Sequence, residues 1–433
     1  MIERVAVIGG GYAGLAAAVV LAQHDVPVSV FEAAKQLGGR ARRVAYRGID
    51  LDNGQHLLLG AYRETLRLVR LVGGGREPWL TLPLDLDIPG HFRFKTPPLP
   101  APLHLGFALM SASGLSAGER FAALRFMLNV RSRGFKLARD CSVASLLATQ
   151  RQSDRAIRLL WEPLCVAALN TPLAIASAQV FLNVLRDSFN RERADSDMVL
   201  PQVDLSRLFP DAAAEYVRQR GGSIFTGVTV RAIAVEQGFT LATAAGEQVF
   251  SHVVCAVPPQ RMAALTQDLP QLAEAARMAQ ALAYHPIYTI YLQYPQDVRL
   301  SGPLLGLTGT LSQWVCDRGY THRTPGMLAV VISSDGPHQG MPHAQLAQQV
   351  HREISAALGP LPQPLWHEVI AEKRATFSCS VDLARPAQAT PLEHFYLAGD
   401  YTAGDYPATM EAAVQSGVKC AAHILRGWQP ATS

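Results

Sequence analysis

The stretch "RVAVIGGGYAGLAAAVVLAQHD" constrains the architecture of this chain more than any other. A β-branched run, "RVAVIGG", reads as a buried parallel strand, and "YAGLAAAVVLAQHD" reads as a helix built from strong helix formers. Between them lies Gly9-x-Gly11-x-x-Gly14. Gly9 makes the tight turn, Gly11 lets the backbone approach a pyrophosphate, and Gly14, beside Ala13, lets helix and strand pack closely. The helix N-terminus then points at phosphate charge. A second strand, "VPVSVFEA", ends in Glu32, about 20 residues on, where a carboxylate can hold ribose hydroxyls. A bare glycine triplet is a weak signal and could be a turn with no ligand. The flanking strand, helix and acidic strand end turn it into a dinucleotide-binding expectation.

Two further segments indicate which dinucleotide. In "LGGRARR", Gly38 and Gly39 allow close backbone approach while the Arg40 guanidinium neutralises diphosphate oxygens; Arg43 reads better as solvated surface. Near the other end, "HFYLAGDYTAGDYPATMEAAVQSGVKCAAHIL" reads as a strand over Phe395 to Ala398, a Gly-Asp turn, a loop, and an alanine-rich helix from about Thr409. These segments resemble the FAD-dependent amine oxidase and phytoene desaturase superfamily. The resemblance implies FAD as cofactor, with Gly39 and Arg40 at the diphosphate and Asp400 bonding the ribityl or diphosphate region. It also implies that the helix start near Met410 faces the flavin pyrimidine edge, and that Val230 passes the adenine through its backbone groups. The positive end of that helix would stabilise the charge of a reduced flavin.

Middle segments complete the same domain. "GGSIFTGVTVRAIAV" supplies a strand expected at Val228 to Val235, and "SHVVCAVPP" another that stops at Pro258 and Pro259. The expected fold class is α/β: a discontinuous Rossmann-like FAD-binding domain over 1–65, 200–265 and 380–433, carrying an inserted mixed α+β substrate region over 66–199 and 266–379.

Composition narrows the partners. The 433 residues include 39 basic and 35 acidic side chains, too balanced to imply a polyanion field, so nucleic acid is not expected. Six cysteines are scattered without a C-x-x-C pair, which indicates neither a disulfide framework nor a metal site and suits a cytoplasmic protein. The apolar N-terminus is not read as a signal peptide, and no apolar run reaches the roughly 20 residues that span a bilayer.

The insertions are expected to build the substrate side. Leu103 to Met110 is apolar, and the helix expected over about 118–139 mixes Phe121, Leu124 and Leu128 with Arg120, Arg125, Arg131, Arg133, Lys136 and Arg139. Such an element can rest on an anionic membrane surface, peripherally on its inner face, or pack into the core with a solvated basic side. Both readings stay open. In "WEPLCVAALNTPLAIASAQVFLNVL", Trp161, Leu164, Phe181 and Leu182 are core residues first and tunnel walls second, and an apolar cavity there suits a hydrocarbon substrate. "HPIYTIYLQY" reads as a strand; Tyr284, just before it, and Tyr288 and Tyr291 are each packing residues first and candidates to line one wall second.

The pentapeptide "DNGQH", Asp52 to His56, concentrates hydrogen-bonding groups in an otherwise apolar stretch. Asp, Asn and Gly favour turns, and that is the plain alternative. "LDNGQHLLLGAYRETL" together with "GDYTAGDYPATMEAAVQSG" resembles the hydroxysqualene dehydroxylases, squalene-associated FAD enzymes, with similarity also in "GLSAGERFAALR" and "WEPLCVAALNTP". The resemblance implies reductive removal of an allylic hydroxyl: hydroxysqualene and reduced FAD give squalene, water and oxidised FAD. Hydroxide is a poor leaving group, so a donor must protonate the departing oxygen. His56 is the first candidate, because its ordinary pKa lies near neutrality. Gln55 and Asn53 would orient the hydroxyl or hold the flavin, and Asp405 and Tyr406 are the competing donors; a structural role for His56 or a plain loop-to-helix entry at Tyr406 is the alternative to each. An oxidative carotenoid or squalene desaturase of the same fold needs no acid. An amine oxidase lacks support from any paired-aromatic signature, and a flavin-free escort-type protein is the non-enzymatic reading. No second glycine fingerprint marks a nicotinamide site, so an external electron donor is expected.

Overall fold

All four side chains of β1 (Val5–Ile8) are buried, as β-branched residues are in a strand covered on both faces. In this computed structural model, which describes residues 4–428, β1 is the centre of a five-stranded sheet. Its neighbours are β2 (Val28–Glu32) and β6 (His252–Cys255), with β5 (Ser223–Thr226) and β12 (Phe395–Leu397) at the edges, and every pairing is parallel. One sheet is thus assembled from three distant stretches of chain. Its crevice lies beyond the carboxyl ends of the strands, where open α/β sheets bind their ligands.

Helix α1 (Tyr12–Gln23) follows β1 and is buried from Tyr12 through Ala22. A helix apolar on all sides must be covered on all sides. α7 (Pro210–Gln219) and α9 (Met410–Gly427) pack on it. At the α1–α9 crossing, a Cβ added to Gly417 would stand 2.1 Å from the Ala13 carbonyl oxygen, so only glycine lets the two axes approach this closely.

A second, antiparallel sheet has the order β8 (Leu304–Gly306), β9 (Trp314–Asp317), β10 (Met327–Ser333), β7 (Tyr284–Gln293) and β11 (Trp366–Phe377). Tyr288, Ile290 and Leu292 of β7 pack with Leu346, Val350 and Ile354 of α8 (His343–Leu358) in one core. The alternate residues Thr289 and Tyr291 face the other way, toward the segment after Asp52. That segment is delivered by a hairpin of β3 (Arg43–Tyr46) and β4 (Ile49–Asp52), whose turn residues Arg47 and Gly48 both have positive φ, and it leads into α2 (Arg63–Val72).

The first insertion is mixed: short antiparallel strands over Trp79–Leu82, Asp85–Ile88 and Phe92–Lys95 precede the helices α3 (Leu103–Ser111), α4 (Ala117–Ser132), α5 (Glu162–Leu169) and α6 (Ala178–Phe189), with a π-helical turn over Ile157–Trp161. No helix among the described residues is long and apolar enough to cross a membrane.

Several local expectations need correction. The basic helix does not continue to 139: α4 ends at Ser132, and the chain turns away through Gly134 and Phe135, both at positive φ, so Arg133, Lys136 and Arg139 lie beyond it. The strand expected from Val228 begins only at Ala232, because Val228 and Gly227 bond back to Glu32 and Ala34 before the chain reaches the next sheet. The three tyrosines of β7 do not share a wall. A bulge between His285 and Ile287 and the strand's alternation send Tyr288 to the α8 side, edge-on to His338.

Candidate active site

The glycine fingerprint closes on itself tightly. Gly9 has φ +114° and its N–H donates to the Phe31 carbonyl at 2.8 Å; a Cβ at Gly14 would lie 2.0 Å from the Gly9 carbonyl oxygen. Gly11 bridges Gly38, and Gly39, at φ +61°, faces the Gly11 Cα. Two runs of bare backbone therefore lie side by side, a surface a phosphate group can approach without meeting a side chain. Glu32 ends β2 with its carboxylate fixed by the N–H groups of Gly10 (2.7 Å) and Ala34 (2.8 Å). Ala13 lies in the first turn of α1, and Val230 is buried.

Arg40 and Asp400 form an ion pair at 2.5 Å, and Arg40 also donates to the Ala375 carbonyl at 2.7 Å. Asp400 is buried in the turn that follows β12. Arg385 shapes the loop that follows by donating to the carbonyl oxygens of Asp400, Gly404 and Tyr406. Helix α9 begins at Met410, capped by the Thr409 hydroxyl, which accepts from the Ala412 N–H at 3.1 Å. Glycine backbone, a carboxylate at a strand end, a guanidinium and the positive end of a long helix together suit a flavin dinucleotide.

The early loop is pinned from both sides. Asp52 is buried; one carboxylate oxygen accepts from the Leu205 N–H at 2.8 Å, the other lies 3.1 Å from Arg318 Nη1 and 3.4 Å from His322 Nε2, and its carbonyl accepts from the Tyr291 hydroxyl at 2.9 Å. Burial pushes this carboxyl up, but the bond with His322 and the Arg318 charge outweigh it and hold it below its ordinary value. Arg318, itself buried, reaches on to the Gln55 side-chain oxygen at 3.2 Å. Asn53 donates to the Arg40 carbonyl (3.0 Å) and to Glu372 (3.1 Å). Gln55 and Asn53 are thus engaged with protein partners. His56 lies beside them with Nδ1 2.7 Å from the Gly54 carbonyl, so that nitrogen carries the proton and Nε2 is left for another partner. Burial lowers the pKa of His56, an effect the Gly54 carbonyl partly offsets.

The C-terminal loop brings in groups the sequence did not single out. Asp405 is mostly exposed and paired with Arg186 of α6 at 3.3 Å, and its carbonyl accepts from Asn183. Tyr406 lies beside Asp187 of the same helix; burial and that carboxylate both raise its pKa. Glu411 is wholly buried in the first turn of α9 and accepts from the N–H groups of Glu64 and Thr65 and from the Thr65 hydroxyl, a carboxylate placed at the N-terminus of α2. Arg318, Asp187 and Arg385 belong to no motif, and Glu411, although inside the C-terminal segment, has no role that the resemblance implies; the meaning of each lies in partners distant in the chain that the fold brings to it.

On the other side of α6 lies an apolar cavity of about 560 Å³, walled by Leu185 and Phe189 of that helix and by Leu105, Leu124, Trp161 and Leu164 among others. Of the four residues expected as core or tunnel wall, Trp161 and Leu164 line it while Phe181 and Leu182 are fully buried beside it. The cavity wall includes no residue of the early loop or of the C-terminal loop. Helix α6 connects them, with apolar side chains on the cavity and Asn183, Arg186 and Asp187 on the 405–406 loop.

The family model described as flavin containing amine oxidoreductase matches residues 12–425. A hydroxysqualene dehydroxylase of Rhodopseudomonas palustris is 28% identical over 98% of this chain and 99% of its own, and one of Sinorhizobium fredii is 25% identical over 97% and 98%. A zeta-carotene desaturase of Capsicum annuum is 24% identical over 97% of this chain and 80% of its own. Among solved structures, an oxidoreductase of Methanosarcina mazei superposes with TM-score 0.75 at 15% identity, covering 96% of this chain and 99% of that one. A triple mutant of putrescine oxidase gives TM-score 0.74 at 18% identity, covering 98% and 99%.

Proposed function

The chain belongs to the flavin-containing amine oxidoreductase family and is an FAD-dependent oxidoreductase; within that family we propose that it removes an allylic hydroxyl reductively from an isoprenoid alcohol, hydroxysqualene, to give squalene. The observation that carries this reading is the cavity of about 560 Å³, apolar on nearly every side and joined through α6 to a loop carrying polar groups. A long hydrocarbon with a single oxygen suits that arrangement. The full-length similarity to hydroxysqualene dehydroxylases supports it.

FAD in its reduced form supplies the hydride for such a reaction. The chain must hold the cofactor and deliver a proton. Gly9, Gly11, Ala13 and Gly14 at the start of α1 would hold the diphosphate and Glu32 the adenosine ribose, with Val230 along the adenine, Gly39, Arg40 and Asp400 along the diphosphate and ribityl, and Met410 at the ring. His56 is proposed as the acid: with Nδ1–H committed to Gly54, its protonated form has one N–H free, and a lowered pKa makes that proton easier to give up. Gln55 and Asn53, tied to Arg318, Glu372 and the Arg40 carbonyl, keep the imidazole in place. Tyr406, beside Asp187, is the competing donor, and Asp405, exposed and paired with Arg186, is the weaker one. Electrons come from an external donor.

A second reading, oxidative desaturation of a carotenoid or squalene, is favoured by the relatives named zeta-carotene desaturase, which match over 97% of this chain. Anaerobic incubation decides between them. Conversion of hydroxysqualene to squalene by photoreduced enzyme supports dehydroxylation, whereas new double bonds formed by the oxidised enzyme, with hydroxysqualene left unchanged, would replace it.

A further inference from the structure

Four side chains on α3 and α4 do two things at once: Leu103, Phe107, Met110 and Leu128 wall the apolar cavity and yet are 42–61% exposed on its outer side. Leu103, Phe107 and Met110 stand at i, i+4 and i+7, one face of α3, and Phe121, 60% exposed, extends the patch along α4. An apolar patch at the mouth of an apolar cavity is a binding surface rather than scattered exposure.

Charge identifies what covers it. Residues 117–139 hold six cations and one carboxylate, Glu119, which is committed to the Ser116 cap and to the Ser153 hydroxyl. Arg120 is turned inward to the carbonyls of Leu115 and Met110. The remaining five, Arg125, Arg131, Arg133, Lys136 and Arg139, are exposed; Arg125 stands four residues after Phe121 on the same face of α4, and Arg131 also borders the cavity. A second copy docking through the same face would set these cations against themselves. An anionic bilayer accepts both features, the apolar side chains below the headgroups and the cations among them.

We propose that the α3–α4 face seats on an anionic lipid bilayer and that the cavity opens into its acyl region, so that an apolar substrate enters without crossing water. The entry route rests on the isoprenoid reading above; the seating does not.

The test uses the FAD-loaded full chain with vesicles of phosphatidylcholine alone or mixed with phosphatidylglycerol, read by co-sedimentation. Wild type should bind the anionic vesicles and be released by salt. The triple variant Phe121→Ser, Arg125→Glu, Arg133→Glu touches no cavity-lining residue and should bind at least tenfold more weakly, since each cation at such a surface is worth about fivefold. Its flavin spectrum and its turnover of detergent-dispersed hydroxysqualene should match wild type, while turnover of vesicle-borne substrate falls. Equal binding of wild type and variant, binding indifferent to lipid charge, or a wild-type dimer that the variant abolishes would overturn the seating. If neither protein converts hydroxysqualene in any form, the assigned reaction fails while the vesicle result still decides the seating.

Discussion

Arg40 and Asp400 meet at 2.5 Å although 360 positions separate them, and their pairing ties the second glycine segment to the loop entering α9. Asp400 is buried, so removing its partner leaves a carboxylate without compensation at the site proposed for the diphosphate. Arg40→Ala is therefore expected to weaken FAD binding by roughly tenfold or more, the scale of one charge-assisted bond. Flavin retention on dilution, followed by fluorescence, measures it; Arg40→Lys should recover only part, because an ammonium cannot serve both Asp400 and the Ala375 carbonyl in the same fork.

The buried pair Asp52–Arg318 gives a stability prediction with a pH signature. Asp52→Asn leaves the Arg318 guanidinium uncompensated and is expected to cost roughly 3–5 kcal/mol in urea unfolding at neutral pH. Because the folded-state pKa of Asp52 is held below the ordinary value, its contribution is present above that ordinary value and is lost as pH falls through the folded one. Wild type should therefore lose this share of its stability in acid below about pH 4, and the Asn variant, already lacking it, should show a flatter acid limb.

The proton donor can be read from pH dependence. If His56 is the acid, only its protonated form works, and since its pKa lies below 6.5, kcat/KM should fall as pH rises through that lowered value. His56→Ala should then reduce the chemical step on the order of a hundredfold and abolish the limb. Tyr406, whose pKa is raised by burial and Asp187, stays protonated across the neutral range and would give a flat profile there. A flat profile with an active His56→Ala variant transfers the role to Tyr406.

The parts of this site that local chemistry encodes were legible in the sequence. Gly9, Gly14 and Glu32 announce themselves because a tight turn, a close helix–strand contact and an acidic strand end each demand one residue type at one spacing. Arg318 was not legible: its meaning lies in Asp52, 266 positions earlier, and nothing in "VCDRGYTH" records that partner. The same holds for Asp187 and Glu411, whose partners, Tyr406 in one case and Glu64 and Thr65 in the other, are set by tertiary packing. Overestimating the basic helix has a simpler cause. Arg133 to Arg139 continue the composition of α4, but Gly134 and Phe135 take positive φ and end the helix, a backbone event that the charge pattern conceals. The split of the β7 tyrosines has two causes: Tyr288 and Tyr291, three residues apart, take opposite faces by simple alternation, while Tyr284 is parted from Tyr288 by a bulge that leaves no mark in the sequence.

Gly417 sets the spacing of α1 and α9. A methyl group there would lie 2.1 Å from the Ala13 carbonyl oxygen and 3.0 Å from the Ala17 nitrogen, both backbone atoms that cannot step aside. Gly417→Ala should destabilise by about 1–3 kcal/mol, as overpacking does. It should also loosen the flavin, because α9 carries Met410 and Glu411 at its start. A parallel loss of melting temperature and FAD affinity is expected; loss of melting temperature alone would mean that the helix start is held by Glu411 and α2 instead.

The cavity predicts which substrates are lost when it is filled. Leu164 lines it from α5 and is only partly buried, so Leu164→Trp can project the larger ring into the free volume of about 560 Å³ instead of into packed core. A 30-carbon substrate would then have to leave part of its chain outside, and each displaced methylene forfeits about 0.8 kcal/mol of burial. Loss of two such groups corresponds to roughly a tenfold rise in KM. FAD content should be unchanged, because no residue assigned to the cofactor lines the cavity. A shorter allylic isoprenoid alcohol should be affected less than the long one. Equal effects on short and long substrates would mean that the chain does not occupy this cavity, and the hydrocarbon would have to be sought along β7 and β11 instead.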